Sequence, residues 1–81
     1  MTKLSYNASL VFAYLFPQMN NYGTAIPAVD KICQKCDLNK DQVDAAVIEL
    51  IQSGYITSKI EPTKHPFTGE IVNWTNYRLA F

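Results

Sequence analysis

The sequence predicts a small α+β fold, mainly α, in which three helices are followed by a two-stranded antiparallel hairpin. Three observations carry that expectation. Apolar residues recur at spacings of three and four through three separate stretches, a period of two takes over after Gly54, and Pro or Gly stands near most of the junctions. At 81 residues, 48% of them hydrophobic and five Tyr, four Phe and one Trp among them, the chain suits one domain (1–81) with a small core.

The first helix is expected from Ser5 to Met19, where Ala8, Val11, Phe12, Leu15 and Met19 form one stripe. Pro17 is expected to distort or end it, and Asn20 to Gly23 to form a turn. A second helix is expected to open at Pro27, a residue suited to a first turn, with Val29, Ile32, Cys33 and Cys36 facing inward. Asp30 then lies near the positive end of that helix. Asn39 reads as the N-cap of a third helix, with Gln42 three residues on as a capping-box partner. Val43, Ala46, Val47, Leu50 and Ile51 make its buried stripe, and Gly54 ends it.

Beyond Gly54, Tyr55 to Glu61 reads as a strand stopped by Pro62, and Thr63 to Gly69 as a turn. Glu70 to Phe81 reads as the return strand. Ile71, Tyr77, Leu79 and Phe81 share one of its faces, and Val72, Trp74 and Arg78 the other.

Two segments carry a family resemblance. The run Ile26-Pro27-Ala28-Val29-Asp30-Lys31-Ile32, continued to Gly54-Tyr55-Ile56, resembles winged helix-turn-helix domains, in which a proline opens the second helix and the recognition helix ends in Gly-aromatic-Ile. The closing Asn76-Tyr77-Arg78-Leu79 looks like the last wing strand of that family. Leu4 to Leu15 is similar to the first helix of winged-helix domains at the N-termini of phage and plasmid replication proteins. The resemblance spans almost the whole chain. It implies duplex DNA as partner, with the third helix in the major groove and the wing on backbone or minor groove. It further implies a small transcriptional or replication regulator of phage, plasmid or bacterial type. On this reading Lys35, Asn39, Lys40, Gln42, Lys59, Lys64, His65 and Arg78 meet the DNA.

Charge supports a second reading. Lys and Arg number seven, Asp and Glu seven, so the chain lacks the basic excess usual in a phosphate binder. The outward positions of the third helix are Lys40, Asp41, Asp44, Ala45, Ile48, Glu49 and Gln52, one positive charge against three negative. Carboxylates facing phosphates cost affinity, and an Asp reads only a cytosine amino group. The alternative is a non-enzymatic protein-interaction module, an adaptor or inhibitor, that docks through this acidic helix or through the first one. The first helix carries no charge, and Tyr6, Leu10 and Tyr14 on its second face suggest a partner or homodimer surface. Asp41, Asp44 and Phe67 are the other candidate partner contacts.

Cys33 and Cys36 form a C-x-x-C on the buried stripe of the second helix, where they read as core. A zinc site would need two more ligands, and the single His65 is the other candidate. No metal, cofactor, small-molecule substrate or catalytic constellation is expected, and the chain does not read as an enzyme. The longest apolar run, Ala8 to Pro17, is too short to span a bilayer. Two Cys without a secretory leader suggest a reducing, cytoplasmic setting.

Overall fold

The structure is a computed structural model describing residues 3–25, 27–65 and 67–81. Its elements are α1 (Tyr6–Tyr22), α2 (Val29–Cys36), α3 (Lys40–Gln52), β1 (Ile56–Lys64) and β2 (Ile71–Leu79), with β1 and β2 antiparallel. This is the expected α+β, mainly α order, and it is compatible with a winged-helix layout.

Ser5 caps α1 by accepting a hydrogen bond from the Ala8 N–H at 3.3 Å. Pro17 does not end the helix, which continues to Tyr22 and closes where the Gly23 N–H donates to the Met19 carbonyl at 2.9 Å. The reason is position. Pro17 frees only the Ala13 carbonyl, and both residues lie on the exposed side, where a carbonyl without a helical partner costs little. The expected turn at Asn20 to Gly23 therefore shrinks to Gly23, with φ 80°.

Pro27 likewise lies ahead of α2 rather than in its first turn. Ala25 and Tyr77 exchange two backbone hydrogen bonds of 2.8 Å, and Ala28, with extended backbone, is the N-cap. Ala28 has no side chain able to cap, and no side-chain hydrogen bond closes this helix start. α3 begins as expected. Asn39 Oδ1 accepts from the Gln42 N–H at 2.8 Å, and Gln42 Oε1 accepts from the Asn39 N–H at 3.0 Å. It ends with Tyr55 N–H on the Leu50 carbonyl (3.0 Å) and Gly54 N–H on that of Ile51 (3.1 Å). This Schellman closure requires a left-handed residue, and Gly54 supplies it at φ 79°.

β1 runs through Pro62 to Lys64 instead of stopping at Glu61. The pairing explains why Pro62 is tolerated. Tyr77 spends its N–H and carbonyl on Ala25, so its own partner Ser58, and by alternation Ile60, Pro62 and Lys64, direct their backbone groups away from β2. The missing donor of Pro62 thus falls on the outer edge and removes no ladder bond. β2 ends at Leu79, leaving Phe81 exposed beyond it.

The core joins Ala8, Val11, Leu15 and Met19 of α1, Ile32 and Cys36 of α2, Val43, Ala46 and Leu50 of α3, and Ala25, Ile56 and Tyr77. Burying Leu15, Ile32, Leu50 and Ile56 completely stabilises the fold by roughly 1.5–3 kcal/mol per side chain. Phe12, Cys33 and Val47 pack against this cluster half-buried, while Ile51, expected inside, is exposed. Only the base of the hairpin reaches the core. Its outer part projects from a molecule 41 × 27 × 19 Å in extent.

Candidate nucleic-acid interface

The α2–α3 corner is built by Asp37, left-handed at φ 56°, and by the Leu38 N–H donating to the Cys33 carbonyl at 3.1 Å. Lys35, in the last turn of α2, and Lys40, the first residue of α3, are both exposed around it. Asn39 and Gln42, at the start of α3, each have their oxygen engaged in the capping box. Bidentate recognition of adenine needs an amide oxygen and an amide N–H together. Each side chain would have to share its oxygen between the cap and a base.

Farther along, the exposed face of α3 carries Asp41, Asp44, Ala45, Ile48 and Gln52. Ile48 is 54% exposed at a position where a groove reader needs a donor. Glu49 is not outward as expected. It is half-buried, and its Oε2 accepts the Ser5 N–H at 2.7 Å, tying the start of α1 to α3 and placing an anion at a helix N-terminus. Burial foremost, and then the Asp44 charge, push the Tyr77 phenol above its ordinary pKa.

The hairpin register sorts the wing cations. Lys59 pairs with Asn76 and Thr57 with Arg78, so Lys59 and Arg78 share one face, together with Trp74 and Glu61. Lys64 pairs with Ile71 on the opposite face, the one that also carries the exposed Ile60. Lys59 and Arg78 are therefore brought together and Lys64 is not. At the tip, His65 Nδ1 accepts from the N–H groups of Phe67 (3.2 Å) and Thr68 (3.3 Å), so this nitrogen serves the turn. Phe67 is 92% exposed.

The apolar strip expected on α1 is broken. Tyr6 is exposed, but Leu10 and Tyr14 are half-buried against the core. Phe16 and Tyr22 are the other large apolar residues that α1 exposes. Cys36 is buried and its thiol donates to the Leu10 carbonyl at 3.6 Å. Burial, and then the neighbouring Cys33, raise its pKa, opposite to what a reactive thiol needs. Both Cys are free, and among the described residues no group of three potential metal ligands converges. No described helix is long and apolar enough to cross a membrane.

Two features of this surface had no signal in the sequence: the Glu49 link to Ser5, and the Ala25 bridge that makes β2 an inner strand over part of its length. Both join residues more than 40 apart whose types are common at any surface. Comparison with family models, characterised proteins and solved structures finds no match.

Proposed function

We propose that the protein is a small duplex-DNA-binding module of the winged helix-turn-helix type, acting in transcription or replication control, that grips phosphates more than it reads bases. The observation that carries this reading is the projecting hairpin. Nine-residue strands are far longer than the core uses, and their stem holds Lys59 and Arg78 on one face. Lys35 and Lys40 around the α2–α3 corner supply further cations of the kind that neutralise phosphates. The middle of α3 offers carboxylates and Ile48 instead of base-reading donors, so binding with little sequence preference is expected.

That same α3 surface favours a second reading, a module that docks on a basic partner protein through Asp41, Asp44 and Ile48. Exposed branched apolar side chains flanked by charge suit a protein interface better than a groove. The double variant Asp41→Asn/Asp44→Asn separates the two. If α3 approaches DNA, removing two like charges tightens duplex binding. If α3 docks on a protein, DNA binding stays absent and the partner complex is lost.

A further inference from the structure

Of the large apolar side chains described, Phe67 at the hairpin tip is the most exposed, at 92%. The turn that carries it is nevertheless held by a set of short-range bonds. The His65 N–H donates to the Glu70 carbonyl at 2.7 Å, and the Gly69 N–H donates back to the His65 carbonyl at 3.0 Å. His65 Nδ1 accepts from Phe67 and Thr68, and the Thr68 hydroxyl accepts the Glu70 N–H at 3.3 Å. Gly69, left-handed at φ 76°, lets the chain turn back toward β2. Each bond fixes backbone, and none draws the ring back onto the strands.

Polar groups stand around that ring. Because Nδ1 accepts, the neutral imidazole carries its proton on Nε2, which is a donor. The His65 and Phe67 rings lie 6.0 Å apart, so this donor is a neighbour of the apolar ring. The Lys64 side chain passes along the turn at Gly69, its Cε 3.7 Å from where a Cβ would stand there, which brings its ammonium to the tip. Glu70 is the one acid between Lys64 and Ile71 and offsets that charge.

An apolar wedge flanked by a donor and a cation matches the minor groove of a duplex. The groove floor presents acceptors, its rims are phosphates, and apolar side chains inserted from it part neighbouring base pairs. We infer that Phe67 wedges between two base pairs from the minor groove, with His65 Nε2 donating to a floor acceptor and Lys64 meeting a rim phosphate. This rests on the duplex-binding reading proposed above. The stem grips elsewhere. Five residues of strand separate Lys59 from Lys64, about 17 Å, which is the rise of about five base pairs. The wedge kinks the duplex, and it favours a flexible pyrimidine–purine step, where unstacking costs least.

The test uses end-labelled duplexes of about 20 base pairs. One holds a single TA step with 2-aminopurine as its adenine, and the other is an A-tract without such a step. The wild type should raise 2-aminopurine fluorescence, shorten the end-to-end distance read by energy transfer, and bind the TA duplex the more tightly. Phe67→Ala should lose all three effects and bind the TA duplex roughly fivefold or more weakly. Its salt slope should not change, because no phosphate contact is removed, and its circular dichroism spectrum should match the wild type. Phe67→Leu, still an apolar wedge, should retain the bend in part. Wild-type binding without unstacking or bending overturns the wedge and leaves the phosphate grip standing. So does a Phe67→Ala variant that bends the duplex as the wild type does. If neither protein binds either duplex at low salt, the DNA reading falls and the wedge falls with it.

Discussion

Cys36 and Tyr77 show how single side chains link the core to measurable behaviour. Both are buried, and in both burial holds the proton on. A folded-state pKa above the unfolded one gives stability that is complete below the unfolded value and lost as pH rises through the folded one. Stability is therefore expected to be insensitive to these two groups near neutrality and to fall in the alkaline range, first through the thiol and then above about pH 10 through the phenol. Chemical denaturation across pH 7–11 checks this, and Tyr77→Phe should flatten the upper part of the decline. Replacing Cys33 by Val and Cys36 by Ala should leave a folded protein weaker by roughly 1–3 kcal/mol, since packing is what is lost. Stoichiometric zinc in the purified protein, whose removal unfolds it, would overturn the reading of these thiols as core.

At the scale of elements, the capping box of α3 is an exposed structural support. Asn39→Ala should cost about 1 kcal/mol in a thermal or denaturant melt, because the Gln42 N–H loses its acceptor. An unchanged melt would mean that water replaces the cap at no cost. This element was fully legible in the sequence, since Asn39, Gln42, the apolar stripe and Gly54 are local signals. Pro17 and Pro62 were misread for a shared reason. A proline interrupts a helix or strand only where the group it removes has a partner, and whether it faces solvent is decided by packing remote in sequence. The start of α2 lies beyond Pro27, after a long-range bridge that ties Ala25 to Tyr77 and an N-cap at Ala28. Of the candidate site, Lys35, Lys40 and the Lys59–Arg78 pair remain free to act as expected. Asn39 and Gln42 are held in the capping box that their spacing announced, and His65 proved to have a duty in the turn that spacing alone could not reveal.

For the whole molecule, the separation of roles is spatial. The charge-free α1 and the inner faces of α2 and α3 supply most of the core, while most of the chain's charges lie on α2, the α2–α3 corner, the outer face of α3 and the projecting hairpin. A neutral molecule that binds DNA has to do so through local cations, so salt is the sharpest probe of it. Binding of a duplex oligonucleotide, titrated across salt concentration, tests the phosphate-grip account most directly. With Lys35, Lys40, Lys59 and Arg78 each meeting one phosphate, log affinity should fall linearly with log salt at a slope of roughly −3 to −4, and Lys59→Ala should make it shallower by about one. Absence of measurable duplex binding at low salt, in the wild type and in Asp41→Asn/Asp44→Asn alike, would contradict it.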